Sequence, residues 1–172
     1  MILDIVTYPD ARLRETCSTI VEVTPEIKRL AADMLETMYE ARGVGLAGPQ
    51  IGKNLRIIVM DHGWTNNEPA PRVFINPVLE LLGEKIISEK EGCLSVPLGF
   101  RADVPRYSQV RLHGLDVEGR EINEILQDLP AIIAQHEVEH LDGKLFIDHL
   151  THLRRSMYDT KVKKWLKSKD NA

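Results

Sequence analysis

Residues 128–143 read DLPAIIAQHEVEHLDG, and their pattern is that of one complete helix. Asp128 is a suitable N-cap, Pro130 fits the first turn, and Gly143 suits the position after the last turn. The segment therefore predicts a helix over residues 129–141. Because a helix that follows a run of strands must bury one face against their sheet, this segment decides the fold class.

The region before this helix contains short strand patterns separated by turn residues. Each run is rich in β-branched or other apolar residues, and Gly119 marks a turn between the last two runs. The predicted strands cover residues 55–60, 72–82, 85–90, 109–116 and 120–126. They indicate a mostly antiparallel meander. The glycine-rich segment 43–50 is predicted to be a loop that leads into the first strand.

Helices are predicted at both ends of the chain. Thr24 and Pro25 begin an amphipathic run that ends before Gly43. The tail from His149 onward is predicted to be a third helix. The apolar residues expected to hold it on the body are Leu150, Leu153, Met157 and Trp165. The fold class is therefore α+β: a mostly antiparallel sheet against which the helix 129–141 packs, with an N-terminal and a C-terminal helix.

The composition is that of a globular protein of ordinary size. The 172 residues are 43% hydrophobic and 28% charged, so a packed core is expected. The N-terminus lacks the pattern of a signal peptide, and no run approaches the roughly 18 apolar residues of a membrane span. We expect one domain over residues 1–172, located in the cytoplasm. Reduced thiols are expected there, with Cys17 as a small buried residue and Cys93 in a chemical role.

Charge is distributed unevenly along the chain. The segment from His149 onward contains seven basic and two acidic side chains, which gives it a net charge of +5. Because the whole chain carries −4, the remainder carries −9. The basic tail fits two interpretations, a solvated helix face or a surface for nucleic acid or another acidic partner.

The motif H-E-x-x-H carries the strongest chemical signal in the sequence. His136 and His140 lie four residues apart and share one helix face, where they can bind one metal ion beside Glu137. Zinc endopeptidases with this motif take a third ligand from downstream, but the matching position here is Phe146. No glutamate follows the motif, so the downstream candidates are only His149, His152 and a few aspartates.

A cysteine upstream offers a third ligand of a different kind. Cys93 lies in the segment EGCLS, residues 91–95. A thiolate with two imidazoles gives three protein ligands and leaves a fourth position for water, as in catalytic metal sites. Blue-copper proteins also combine two histidines with a cysteine, but they have no use for a base beside the metal. Glu137 therefore favours hydrolysis.

Three segments together resemble the ordered motifs of the peptide deformylase family. They read GVGLAGPQ over residues 43–50, EGCLS over 91–95 and QHEVEH over 135–140, and the similarity extends through nearly the whole chain. Residues 99–106, GFRADVPR, are similar to a subset of the family that includes organelle enzymes. Since no transit peptide is recognised before them, a bacterial cytoplasmic enzyme is expected.

The resemblance implies an activity, a cofactor and catalytic roles. Members of the family remove the N-formyl group from the N-terminal formyl-methionine of nascent polypeptides and release formate. The implied metal is Fe²⁺ in the cell, with Zn²⁺ or Ni²⁺ able to replace it. The implied ligands are Cys93, His136 and His140. Glu137 would be the base and then protonate the leaving amine, while the Gln50 amide and the Leu94 backbone N–H would donate to the oxyanion.

The resemblance also implies where substrate and ribosome bind. The backbone at Val44, Gly45 and Gly92 resembles the edge with which a peptide pairs as an added strand. Ile132 and Ile133 match positions that line an apolar pocket for the methionine side chain. Ordinary packing of the helix on the sheet is the alternative for these two residues, and both can hold. The basic C-terminal helix is implied to dock on the ribosome near the polypeptide exit.

Two positions depart from the commonest family pattern. Glu139 stands where aspartate is usual, and Gly48 where alanine is usual. Neither is a proposed ligand or base, so we expect tuned rather than lost activity. Two other functions remain open: hydrolysis of a different small amide on the same scaffold, and binding of peptides or ribosomes without catalysis. The presence of the complete set of catalytic and ligand residues favours the enzyme.

Overall fold

A computed structural model describes residues 1–171 of the chain, and its framework is a five-stranded sheet. Every neighbouring pair of strands is antiparallel, in the order β1-β2-β3-β4-β5. The strands are β1 (Gly45–Ala47), β2 (Ile57–Met60), β3 (Arg72–Glu91), β4 (Ala102–Leu115) and β5 (Glu121–Gln127). The helices are α1 (Pro25–Glu40), α2 (Asp128–Leu141) and α3 (His152–Asp170). The predicted α+β class is confirmed.

Strand β2 runs through the core and is buried on both of its faces. Ile58 and Met60 belong to the apolar cluster that includes α2. Ile57 and Val59 belong to the cluster that includes α1. Because successive side chains of a strand point to opposite faces, this alternation places α1 and α2 on opposite sides of the sheet.

The start of α1 agrees with the sequence pattern, whereas the predicted cap of α2 is wrong. The Thr24 hydroxyl accepts a hydrogen bond from the Ile27 N–H at 3.4 Å, as an N-cap should. In α2 the N-cap position is Gln127, with no side-chain cap, and Asp128 is already in the helix. The physical reason is that β5 runs directly into α2. Asp128 lies in the first turn, where a carboxylate is favoured by the helix dipole.

Strands β3 and β4 are longer than their sequence patterns indicated. The predicted strands 72–82 and 85–90 form one continuous strand, and the pairing register shifts between Leu82 and Lys85. Gly83, with φ of 70°, lies at this bulge, so a turn signal in the sequence marks an irregularity within a strand. Strand β4 begins at Ala102 rather than Gln109, because its first half pairs with the second half of β3.

The segment 43–50, predicted to be a loop, contains regular structure. Its middle forms β1, which pairs with β2. A 3₁₀ turn over Gly48–Ile51 follows directly. The sequence pattern did not predict this strand, because the glycines lower the strand propensity of the segment.

Helix α3 packs on the body mainly through two residues that were not predicted. Tyr158 and Val162 are each 2% exposed and belong to the cluster with Phe146. The Tyr158 hydroxyl donates to the Pro97 carbonyl at 3.0 Å. The predicted contacts Leu153 and Met157 are 69% and 57% exposed, so that prediction is wrong for both. Leu150 and Trp165 are partly buried.

The core consists of three apolar clusters: one between α2 and the sheet, one between α1 and the sheet, and one under α3. The prediction of one domain over residues 1–172 stays a prediction, and its last residue, Ala172, lies outside the described range. None of the helices within residues 1–171 combines the length and the hydrophobicity that a membrane span requires.

Candidate active site

Three donor side chains that are far apart in the sequence meet in one cleft. His136 and His140 come from one face of α2, and Cys93 comes from the segment directly after β3. Their ligand atoms lie within 4.8 Å of one another, and Cys93 Sγ is 3.3 Å from His140 Nε2. Both histidines are buried. The structure thus brings the three predicted metal ligands into a group that could hold one ion.

The orientation of His136 is set by a carboxylate and a buried arginine behind it. His136 Nδ1 is 2.7 Å from Glu91 Oε1, which leaves Nε2 on the side of Glu137. The Arg106 side chain, 2% exposed, donates from Nε to the other oxygen of Glu91 at 3.2 Å. Burial alone would raise the pKa of Glu91, but these hydrogen bonds lower it to about 2. Glu91 therefore remains ionised and fixes the imidazole.

Glu137 lies beside this group and is 4% exposed. Its Oε1 is 3.9 Å from His136 Nε2, and its Oε2 has no hydrogen-bond partner within residues 1–171. Burial raises the pKa of Glu137 to about 7. A Cβ at Gly45 would approach Glu137 Oε1 to 2.8 Å and Ile133 Cγ2 to 2.9 Å, so only glycine fits there.

Gln50 and Leu94 lie next to Cys93. The Gln50 side chain is 1% exposed, and its Oε1 accepts from the Ala47 N–H at 2.9 Å. Its Nε2 donates to Ser95 Oγ at 3.1 Å and lies 3.5 Å from Cys93 Sγ. The Leu94 N–H makes no hydrogen bond to an acceptor in residues 1–171. The Gln50 amide therefore lies beside the sulfur, and Leu94 is the next residue in the chain after Cys93.

The cleft has a volume of about 420 Å³ and contains the predicted substrate-binding residues. These are Val44, Gly45, Gly92, Ile132 and Ile133. Ile133 is also part of the core between α2 and the sheet, and its role in binding the methionine side chain stays a prediction. Leu129, 49% exposed, lines the cleft as well and was missed. Its spacing of three and four residues before the two isoleucines could have indicated it.

Strand β1 presents a free backbone edge to this cleft. It is the first strand of the sheet, so only one of its edges pairs with another strand. The Asp61 N–H donates to the Val44 carbonyl at 2.9 Å, which directs the Val44 backbone toward β2. Because neighbouring residues of an antiparallel strand alternate in direction, the N–H and C=O of Gly45 point outward.

Both departures from the usual family pattern have local explanations. Glu139 Oε1 forms an ion pair with Arg106 Nη1 at 2.8 Å and lies 2.7 Å from His149 Nε2. Glu139 therefore supports Arg106 from the side opposite Glu91. A Cβ at Gly48 would approach the Leu55 carbonyl oxygen to 2.5 Å, so this backbone has no room for the usual alanine.

The chain is similar in sequence to proteins of one family. The sequence model of the polypeptide deformylase family matches residues 2–156. The peptide deformylase of Alkalilimnicola ehrlichii is 47% identical over 163 residues, which cover 95% of this chain and 90% of that protein. The peptide deformylase of Pseudomonas aeruginosa is 45% identical over 163 residues, which cover 95% of each.

Solved structures show the same relationship. The crystal structure of a peptide deformylase from Legionella pneumophila matches with a TM-score of 0.89 and 37% identity, covering 100% of this chain and 99% of that one. The peptide deformylase from Ehrlichia chaffeensis in complex with actinonin matches with a TM-score of 0.88 and 36% identity, covering 95% and 96%. The chain therefore belongs to the polypeptide deformylase family and is an enzyme of that family.

Proposed function

We propose that the protein hydrolyses the N-formyl group of the N-terminal formyl-methionine of nascent polypeptides in a metal-dependent reaction. Water adds to the formyl carbon, the C–N bond breaks, and the products are formate and a free methionine amine. The observation that carries this proposal is the meeting of Cys93, His136 and His140 with Glu137 in one cleft. The names of the relatives support the choice of substrate.

The donor set fits a divalent transition metal. Glu91 occupies Nδ1 of His136, so Nε2 is the nitrogen available for a metal, and Cys93 adds a soft thiolate. Three protein ligands leave room for water or substrate, as in catalytic sites. A divalent ion bound there supplies Lewis acidity, which makes water more acidic and polarises a carbonyl oxygen. From the family resemblance we propose Fe²⁺ in the cell, with Zn²⁺ or Ni²⁺ as possible replacements.

Glu137 is proposed to carry out both proton transfers of the reaction. Its carboxylate is buried beside the proposed ligand His136, a position suited to a group that must accept a proton from water and then donate it. Its Oε2 is buried and has no protein partner within residues 1–171, so it can receive the proton of the attacking water. The same proton can then pass to the leaving amine, which would otherwise be a poor leaving group.

Gln50 and Leu94 are proposed to donate to the oxyanion that develops on the formyl oxygen. The Gln50 amide is held in a fixed orientation by Ala47 and Ser95, so its Nε2 stays beside Cys93 without reorganisation. The Leu94 N–H lies in the segment that follows Cys93 and has no competing acceptor in residues 1–171. Preorganised donors of this kind contribute roughly 10²–10³ to turnover each.

The substrate is proposed to bind as an added strand. The outward N–H and C=O of Gly45 offer one pair of backbone hydrogen bonds, and Val44 and Gly92 line the same cleft. The methionine side chain would occupy the apolar part of the cleft. That part is formed by Leu129, Ile132 and Ile133.

The direct test compares formyl-methionyl and acetyl-methionyl peptides of the same sequence with protein purified anaerobically and assayed for metal. We expect rapid release of formate from the first peptide and little release of acetate from the second. Equal turnover of both would indicate a different amidase. Tight binding of both without turnover, in metal-loaded protein, would indicate a non-catalytic peptide-binding protein.

We further propose that α3 docks on the ribosome in the bacterial cytoplasm. The two relatives named above, from Alkalilimnicola ehrlichii and Pseudomonas aeruginosa, come from bacteria. Tyr158 and Val162 hold one face of the helix on the body, and its lysines project from the other faces. Lys161, Lys164 and Lys167 are exposed and form no ion pair in the part of the chain that the structure describes. Lysines in this arrangement can contact RNA phosphates.

Reversing Lys161, Lys164 and Lys167 to glutamate is expected to weaken ribosome binding and to make it less sensitive to salt. Each lost phosphate contact should reduce the slope of log affinity against log salt by about 0.7 to 0.9. Turnover of a short formyl-peptide should be retained, because these side chains lie outside the cleft. Co-sedimentation with ribosomes over a series of salt concentrations measures the effect.

A matched control reverses three exposed basic residues elsewhere, Arg29, Lys53 and Arg120. This control variant has the same net charge as the α3 variant. If ribosome binding depended on net charge alone, both variants would lose it. If the α3 variant binds ribosomes with the affinity and salt slope of the unmodified protein, the basic face of the helix is only solvated.

A further inference from the structure

The outer part of the cleft carries an excess of positive charge that the proposed reaction does not use. Arg42, Lys90 and Arg101 line it, and among the cleft-lining residues that the structure describes, Glu89 is the one exposed acidic side chain. None of the three cations forms an ion pair with a carboxylate in this part of the chain. Unpaired cations around a concave surface attract negatively charged groups of a ligand.

Arg42 is held on one wall of the cleft by its backbone. It follows α1 with φ of 59°, and its N–H donates to the Tyr39 carbonyl at 3.0 Å. The next residue, Gly43, donates from its N–H to Met38 and accepts at its carbonyl from the indole of Trp64 at 2.8 Å. The position of Arg42 relative to β1 is therefore fixed, while its side chain is exposed.

Arg101 lines the same cleft and is held in place by its guanidinium. Its Nη1 donates to the Lys90 carbonyl at 3.1 Å, and the side chain lies over Gly92. The Lys90 N–H in turn donates to Asp103 Oδ1 at 3.0 Å, and this carboxylate does not line the cleft. The guanidinium of Arg101 is thus anchored by a neutral carbonyl and keeps its charge available.

In the proposed binding mode, the peptide continues past Arg42 and Arg101 after its first residue, because both residues line the cleft. Gly45 lies against Glu137 and Ile133, so the reacting end and the methionine belong there. Toward the N-terminal side of Gly45, the N–H and C=O of Gly43 are already bonded, so no further strand pairing is available. The peptide therefore leaves the edge of β1 at the place where Arg42 projects.

On this basis we propose that Arg42 and Arg101 determine specificity beyond methionine, by favouring formylated peptides with an acidic side chain at the second or third residue. This inference rests on the proposed function, because it assigns the direction in which the substrate runs. The attraction is formed in the bound substrate and persists in the transition state, since it lies away from the formyl carbon. Its effect should therefore appear in KM rather than in kcat.

The test measures kcat and KM for formyl-Met-Ala-Glu, formyl-Met-Ala-Gln and formyl-Met-Ala-Lys amides, and for the same series with the variable residue second. Glutamine is the neutral match for glutamate in size. We expect KM to rise from the glutamate to the glutamine to the lysine peptide in at least one series. The preference for glutamate over glutamine should be roughly two- to tenfold, the effect of one or two exposed ion pairs, and should decline as salt rises.

The double variant Arg42→Glu and Arg101→Glu is expected to reverse this order. Arg101→Gln, which keeps a donor for the Lys90 carbonyl, should reduce the preference even if the double variant folds poorly. The control variant Arg29→Glu and Arg120→Glu has the same net charge, and neither residue lines the cleft. The order of its KM values for the three peptides should equal that of the unmodified protein.

The outcomes separate this inference from the proposed function. Equal KM for the glutamate and glutamine peptides in both series, or an order that survives the double variant, would overturn the inference while deformylation stands. Failure of metal-loaded, unmodified protein to deformylate even the glutamine peptides would overturn the proposed function itself.

Discussion

Replacing Cys93 with alanine is expected to release most of the bound metal. In the structure Cys93 Sγ is one of three donor atoms within 4.8 Å of one another, and its removal leaves only the two imidazoles of α2. Loss of a residue that hydrogen-bonds to a metal ligand already weakens metal affinity by roughly 10- to 100-fold. Loss of a ligand itself should weaken metal affinity further. Metal content per protein after anaerobic gel filtration measures the result, and His140→Ala should behave in the same way.

Cys17→Ala is the matched control, because it removes the other thiol of the chain. Cys17 is buried in the core between α2 and the sheet, and burial raises its pKa to about 11. Its removal should lower the melting temperature slightly and leave metal content unchanged. If Cys93→Ala retains stoichiometric metal, the thiolate is not a ligand and the proposed site is wrong.

The structure explains why local elements could be predicted while their extents could not. The cap and proline at Thr24 and Pro25 act within one turn of helix, so the sequence pattern located α1 correctly. The strand β3 depends on pairing with β4 along its whole length. A residue such as Gly83 signals a turn locally, but the partner strand accommodates it as a bulge.

The candidate site shows the same division between local and distant information. The helical spacing of His136 and His140 was visible in the sequence, because α2 alone brings them to one face. The role of Arg106 was not visible, because it depends on the register of β4 against β3, which brings Arg106 to Glu91. A buried arginine in a strand has no sequence signal of its own, since its partners are fixed only by the tertiary fold.

The apolar residues of α3 give a further example. Leu153 and Met157 are exposed while Tyr158 and Val162 are buried, although all four lie in one helix. From the sequence alone, a hydrophobic residue in a basic helix can lie on the buried or on the exposed face. Only the position of the apolar cluster under the helix determines which face is buried. Composition therefore identified the helix and its charge but could not orient it.

Replacing Glu137 with glutamine is expected to abolish most turnover while leaving the metal in place, the opposite pattern to Cys93→Ala. Glutamine keeps the size of the side chain but can neither accept the proton of water nor deliver it to the leaving amine. Loss of a positioned acid–base group typically costs about 10²–10⁴ in rate. Glu137 does not contribute any of the three donor atoms, which come from Cys93, His136 and His140. The metal content of the variant should therefore equal that of the unmodified protein.

The measurement pairs kcat on a formyl-methionyl peptide with metal content from the same preparation. Glu118→Gln, at an exposed turn, is a suitable control for the purification and should retain both. The distinction depends on geometry: Oε2 of Glu137 is buried without a protein partner, whereas Oε1 lies 3.9 Å from His136 Nε2. If Glu137→Gln loses metal together with activity, the carboxylate is part of the ligand set. If turnover stays near normal, a different group moves the proton and the proposed mechanism fails.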